Sequence, residues 1–326
     1  MISNNNFMFG PGNLPITNFI CPNCLNHGLK IVNKKYYCIN ADCTNSDNAY
    51  LSVDGKPVLI NFTYSLVNEN IFANEGGESN VVRTSSRLIL SIRKLINGVS
   101  PITRKNISRL CGEIEVLKDP KILIVGGGEI GSGIAELYSK FSNNIVSFDI
   151  YNSKHVDFIA DGHFIPIIDA VFDVVIIQAV LEHVLIPHDV VAEIHRVLKP
   201  NGIVYAETPF MQQVHEGPYD FTRFSESGHR YLFRDFQLIS SGYTAGAGSS
   251  LLWSLDFFFS GIFRTRKAGK LFRFVFFWLR KFDILIPQSF NIDAASGIYF
   301  FGRKSHSQMP QKQIIDHYMG NQRTNF

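Results

Sequence analysis

Cys21, Cys24, Cys38 and Cys43 crowd the N-terminal region, while Cys111 stands alone. The spacing Cys-x2-Cys-x13-Cys-x4-Cys sets two close pairs at the ends of an intervening hairpin, which suits four thiolates placed tetrahedrally around Zn²⁺. A site with four protein ligands has no open position, so its expected role is structural; His27 is the nearby side chain able to replace a cysteine. A second dense stretch, ETPFMQQVHEGPYDFTRFSESGHRYLF, gathers His, Asp, Arg and Tyr. An imidazole titrates near neutrality, so His215 is the candidate general base toward a hydroxyl or amine. Tyr219, Asp220, Arg223 and His229 are the candidate substrate contacts. The competing reading is a loop knit by its own ion pairs, such as Asp220 with Arg223.

A third signal lies in KILIVGGGEIGSGI, where a strand enters glycines and then a helix, so that backbone N–H groups face whatever occupies the strand's carboxyl end. Gly126, Gly128 and Gly131 form GxGxxG, and Asp149, closing the next strand in VSFDI, can accept from ribose hydroxyls. Nicotinamide dinucleotides and S-adenosylmethionine fit this pattern equally.

Such groups need a frame. From Lys121, apolar runs of strand length (KILIV, NIVSFDI, VDFIA, FDVVIIQ, GIVYAE) alternate with amphipathic stretches (GIAELYSKF, VVAEIHRVL). Continuous Val/Ile/Leu runs mark strands buried on both faces, so a doubly wound α/β domain is expected over 116–305. The loop holding His215 follows the fifth strand and leaves the carboxyl edge of the sheet, where ligands bind in such folds. Ahead of the domain, residues 1–65 read as a compact module whose Asp54-Gly55 turn joins two short strands. Residues 66–115 read as a helical linker, two helices broken near Gly98–Pro101, and 306–326 as a polar, frayed tail.

Within 326 residues, 45% hydrophobic and 18% charged, two globular units are expected and disorder is excluded. A net charge of +3 from 31 basic and 28 acidic side chains imposes no nucleic-acid partner by itself. Neither a secretory signal nor a spanning apolar run is evident, so a cytoplasmic location is expected.

The run DGHFIPIIDAVFDVVIIQAVLEHVLIPHDVVAEIHRVLKPNGIVYAETPF resembles the class I S-adenosylmethionine-dependent methyltransferases of the type 11 kind. Its marks are an acidic strand end, the FDVV strand, LEHV, a helix ending RVLKP, an Asn-Gly turn and another strand, with ASGIYFFGRK similar to the family's closing antiparallel strand. The resemblance implies a Rossmann-like seven-stranded sheet. It also implies that Gly126, Gly128 and Gly131 line the methionine and ribose of the cofactor and that Asp149 takes the ribose hydroxyls. Asp161, Gly162 and His163 would then flank the adenine, with Gln178 on the methionine side. The chain departs from the family at Ile124, where an acidic residue is frequent, and at Ile130, where a glycine is. Glu182 is read as orienting its loop and His183 as packing. The segment CPNC…DGKPVLINF resembles the zinc ribbons of small methyltransferase activators and of ribosomal RNA guanine methyltransferases, which implies a substrate or partner clamp; a stabilising appendage is the alternative.

Leu271, Phe274, Val275, Trp278, Leu279 and Phe282 recur at helical spacing among Lys270, Arg273, Arg280 and Lys281. This aromatic insertion, 250–286, is expected to pack on the domain or a dimer partner, or to lie at the inner face of a membrane. The leading functional expectation is methyl transfer to an oxygen or nitrogen of a small-molecule, glycan or lipid-linked acceptor. Three others are an RNA methyltransferase, supported by the ribbon and by basic stretches at Arg87–Lys94 and Arg264–Lys270, an NAD(P)-dependent oxidoreductase, and a non-catalytic scaffold.

Overall fold

A computed structural model describes residues 10–25, 27–74 and 98–322. Two hairpins open the fold. β1 (Leu29–Val32) turns into β2 (Lys35–Cys38) through Asn33 and Lys34, both at positive φ, and β3 (Ser52–Val53) turns into β4 (Lys56–Leu59) through Asp54 and Gly55, as expected. A short helix, α1 (Asn70–Asn74), follows.

β5 (Ile122–Val125), β6 (Ile145–Asp149), β7 (Phe158–Ala160), β8 (Phe172–Gln178) and β9 (Leu198–Pro209) run parallel. β10 (Phe236–Ala245) and β11 (Gly297–Lys304) complete the sheet, with β11 antiparallel to both of its neighbours. The order is β10-β11-β9-β8-β5-β6-β7-β4-β3. The sheet thus has nine strands where seven were expected. The difference arises because β4 pairs parallel to the edge strand β7, through Val58↔Ile159 and Leu59↔Ala160. The N-terminal region is therefore no separate module. Phe19, Cys21, Leu29 and Cys38 share one core with Leu123, Phe148 and Phe158.

Alternate residues of β5 show why its sequence is continuously apolar. Ile122 and Ile124 face α2 (Pro101–Glu115) and α3 (Ala135–Phe141), burying Ile107, Leu110, Cys111, Ile114 and Leu137. Leu123 and Val125 face α4 (Pro187–Val197) through Val190, Val191 and Ile194. The helix α2 thus forms a layer of the domain rather than a linker, capped by Ser100, whose hydroxyl accepts from the Thr103 amide. The helix expected before Gly98 and the basic stretch Arg87–Lys94 lie outside the described residues.

After α5 (Glu226–Leu232) and β10, the aromatic insertion folds into α6 (Ala247–Ile262) and α7 (Arg266–Val275). The single helix expected through Phe282 instead ends at Val275 and continues after Phe276 as a tighter 3-10 stretch, Phe277–Ile284. That path carries Asp283 back to the start of α6, where its carboxylate accepts from the amides of Gly246 and Gly248 at 2.9 and 2.7 Å. Phe258, Ile262, Phe263, Leu271 and Phe274 remain exposed on this hairpin. Among the described residues no helix is long and apolar enough to cross a membrane. After α8 (Gln288–Asp293), the described part of the tail, 306–322, is ordered against the domain. It forms α9 (Gln313–His317), and His317 pairs with the buried Glu226 at 2.9 Å.

Candidate active site

The chain runs from β5 to β6 on one side of the sheet and returns as β8 on the other, so the carboxyl ends of β5 and β8 flank a topological switch point. The glycine loop sits there. Gly126 takes φ +74°, and its amide and that of Gly127 donate to the Phe148 carbonyl at 3.0 and 2.9 Å, tying the loop to β6. A Cβ on Gly128 would lie 2.6 Å from Asp149 Oδ2, and one on Gly131 would overlap the Gln178 amide. These two glycines let the loop close on Asp149 at the end of β6 and on Gln178 at the end of β8, an approach that any side chain there would block. Helix α3 starts only at Ala135, later than the GIAELYSKF run suggests.

Asp149 accepts from the Gly128 amide at 2.8 Å and the Tyr151 amide at 3.2 Å, at the sheet edge expected for a ribose acceptor. Gln178 donates to Glu207 at 3.0 Å, while its own Oε1 is buried and without a partner among the described residues. An unfilled acceptor beside a glycine cradle fits a ligand carrying a donor, as the amino group of a methionine moiety does. Glu207, near the end of β9, also accepts from Thr103 at 2.6 Å and from Tyr205. Burial pushes its carboxyl up, and these hydrogen bonds work against that. The sequence reading missed Glu207; its signal was a lone acid in the apolar strand GIVYAE.

Asp161 lies where the adenine was expected, but its carboxylate is nearly buried and accepts from Ser65 Oγ and His163 Nδ1, each at 2.6 Å. Burial opposes its charge; the bonds from His163 and Ser65 outweigh that and hold it below the usual carboxylate range. His163 is pushed up by the same pairing. Gly162 leaves ordinary room beside Val190, so no close approach requires a glycine there. Ile124 is buried in the sheet and Ile130 is exposed on the glycine loop.

The loop after β9 folds back onto the end of β8, with the amides of Phe221 and Thr222 donating to the Glu182 carbonyl at 2.8 and 3.2 Å. Arg223 binds Asp220 and also donates to the carbonyls of Gln212, Thr222 and Gln213, so this pair holds the loop, as the competing reading had it. Burial opposes the Asp220 charge, but Arg223 overrides it and the carboxyl is pushed down to about 2. Tyr219 is exposed, and its carbonyl lies 2.7 Å from His183 Nδ1. His215 lies 3.8 Å from Glu182 Oε1, and His183 lies 3.6 Å from the same atom. Glu182 and His183 therefore belong with His215, beyond the orienting and packing roles expected of them. Burial pushes the Glu182 carboxyl up to about 8, and it pushes the His183 imidazole down. Gln213, Asp220, Phe221, Arg223 and Phe257 of α6 line a cleft of about 510 Å³ beside this loop.

His229 is not part of that surface. On α5 it turns inward, 1% exposed, against Phe224 and Phe233, because it shares the helix face that buries Leu232 and Phe233. Arg266, from the second basic stretch, covers the Phe257 ring at 4.3 Å.

The four cysteines converge around the β1–β2 hairpin. Their sulfurs all lie within 4.8 Å of one another, with Cys21–Cys43 at 3.7 Å and Cys24–Cys38 at 3.5 Å. Tetrahedral zinc thiolates at about 2.3 Å place their sulfurs about 3.8 Å apart. The amides of Cys24 and Asn40 donate to Cys21 and Cys38 Sγ. His27 Nδ1 stands 3.7 Å from Cys24 Sγ, outside a set already complete.

Residues 125–206, which span the strands and loops just described, match the family model for a methyltransferase domain. The chain carries a methyltransferase domain. The match separates methyl transfer from the nicotinamide reading that the glycine loop alone left open. Similar solved structures include the cyclase SpnF, 16% identical over 63% of this chain and 81% of its own, with a TM-score of 0.37. Coclaurine N-methyltransferase bound to N-methylheliamine and SAH is 12% identical, covering 66% and 81%, with a TM-score of 0.40. Phosphoethanolamine N-methyltransferase 2 of Haemonchus contortus, in complex with S-adenosyl-L-methionine, is 13% identical, covering 68% and 58%, with a TM-score of 0.42. Comparison with curated protein sequences finds no match.

Proposed function

We propose that this methyltransferase domain uses S-adenosylmethionine to methylate an oxygen or nitrogen of a small-molecule, glycan or lipid-linked acceptor. The observation that carries this reading is the cradle at the switch point. Gly128 and Gly131 bring the loop's backbone against Asp149 and Gln178, and the Gln178 oxygen beside Gly131 lacks a donor among the described residues. The bound cofactor would supply an activated sulfonium methyl. The chain's own part is to hold and align: Asp149 toward ribose hydroxyls, Gln178 toward the methionine side, and the loop after β9 toward the acceptor. Phe257 in the loop's cleft, with the exposed apolar residues of α6 and α7, supports an acceptor carrying an apolar portion. The cysteine set supports one closed structural zinc site.

Calorimetry with S-adenosylhomocysteine and with NADH tests this. S-adenosylhomocysteine should bind and NADH should not, and Asp149→Ala should weaken S-adenosylhomocysteine by tenfold or more, about 1.4 kcal/mol, with the fold intact. Tight NADH binding with no response to S-adenosylhomocysteine would sink the proposal. Mass spectrometry of an extract labelled with isotopic methyl donor then identifies the acceptor.

A further inference from the structure

Three lone-pair donors converge where the loops after β8 and β9 meet. Both carboxylate oxygens of Glu182 are buried with no hydrogen-bond partner among the described residues, although the side chain is only 1% exposed. His183 has Nδ1 2.7 Å from the Tyr219 carbonyl, which puts the ring proton on Nδ1 and leaves the Nε2 lone pair toward Glu182. His215 repeats the arrangement. Its Nδ1 is 3.3 Å from both Asp220 Oδ2 and the Gln213 carbonyl, and its Nε2 faces Glu182 Oε1. The two rings meet edge to face, with centroids 5.0 Å apart, and the three ligand atoms lie within 4.8 Å of one another.

A carboxyl group without partners and two imidazole Nε2 atoms aimed at one point leave buried acceptors unsatisfied unless a proton or a metal cation lies between them. Arg223 does not fill that role, because its donors serve Asp220 and the loop carbonyls. Histidines that bind metals characteristically give their other N–H to a carbonyl or carboxylate, as both do here. We propose that Glu182, His183 and His215 hold a divalent first-row transition cation through the carboxylate and the two Nε2 atoms. Three protein ligands leave coordination positions free. With the cleft of Gln213, Asp220 and Phe221 alongside, those positions take an oxygen of the methyl acceptor. The acceptor's class is therefore one with an oxygen able to bind a metal, such as a hydroxyl flanked by a second oxygen. His215 becomes a ligand instead of a general base. The acceptor assignment rests on the methyltransferase reading, whereas cation binding does not.

The full chain, carrying whatever its cysteines hold, is titrated with Mn²⁺ while the spin-resonance signal of the free ion is followed. Mn²⁺ prefers nitrogen and oxygen ligands to thiolates, so the cysteine set should not compete. One Mn²⁺ should bind per chain, and His215→Ala, Glu182→Gln and His183→Ala should each weaken it tenfold or more. S-adenosylhomocysteine affinity should stay within twofold in His215→Ala, a change on a partly exposed loop side chain that also reports an intact fold. No Mn²⁺ binding by the native chain, or equal binding by folded His215→Ala and Glu182→Gln, would overturn the site. Mn²⁺ binding as expected in a chain that ignores S-adenosylhomocysteine would leave the site standing and remove only the acceptor assignment.

Discussion

At the scale of single residues, His229 carries a consequence for acid stability. Its ring packs edge-on against Phe233 with centroids 5.1 Å apart, and its Nε2 is buried without a partner among the described residues. Burial pushes its pKa down to about 3. The unfolded chain protonates this imidazole near pH 6.5 while the folded chain resists until about pH 3. The stability it preserves is whole above about pH 6.5 and is lost as pH falls toward 3. At about 1.4 kcal/mol per pH unit, the loss by pH 5 is about 2 kcal/mol. Replacing it by Phe, which suits the aromatic surroundings and cannot ionise, should remove that share of the acid dependence. Denaturant unfolding at pH 7 and pH 5 measures it, and a variant with the native difference between the two pH values would contradict the buried placement. The placement was legible in principle: Leu232, Phe233 and Phe236 follow His229 at i+3, i+4 and i+7, the spacing of one helical face.

At the scale of elements, the hairpin of α6 and α7 encloses a charge. Asp256 is 2% exposed and lies 3.5 Å from Arg273, whose guanidinium also covers Trp253 at 4.2 Å. Arg266, 3.7 Å away and half exposed, contributes less through solvent screening. Asp256→Ala would leave Arg273 largely buried without its counter-charge, a change that costs about 3–5 kcal/mol in buried pairs. Because α6 and α7 pack chiefly on each other, the loss should appear as local opening. Hydrogen exchange should accelerate over 247–275 while the amides of β5 and β8 keep their protection; equal acceleration in the sheet would mean that hairpin and sheet open together. The sequence disclosed elements best where the cause was local. Strands buried on both faces announced themselves as apolar runs, and Asp54-Gly55 as a turn. It failed where a remote partner decided the outcome, as with Asp283, which draws the chain back to α6 and ends the helix expected through Phe282.

The whole molecule unites what its sequence seemed to divide. The glycine loop and Asp149 could be read because the motif is contiguous, whereas the Glu182, His183 and His215 cluster could not, since two loops far apart in sequence must first be brought together by the parallel sheet. The cysteine region hid a long-range relation of the same kind. Cys21, Cys38 and Cys43 are buried in the core that also holds Leu123, Phe148 and Phe158, and β4 extends the same sheet beside β7. Phe19 packs edge-on against Phe158 at 5.6 Å, linking the cysteine region to the centre of the fold. A metal held by the four thiolates would thus stabilise the sheet and the hairpins as one unit. Replacing Cys21 and Cys24 by Ser should lower the thermal midpoint of the entire chain in a single transition. Loss of several kcal/mol corresponds to a fall on the order of 10 °C for a chain of this size. Far-UV circular dichroism, which follows the sheet, should shift together with zinc release detected by a chromogenic chelator. Two separate transitions, with the sheet melting at its native temperature after the zinc has gone, would mean that the N-terminal hairpins fold independently despite the shared core.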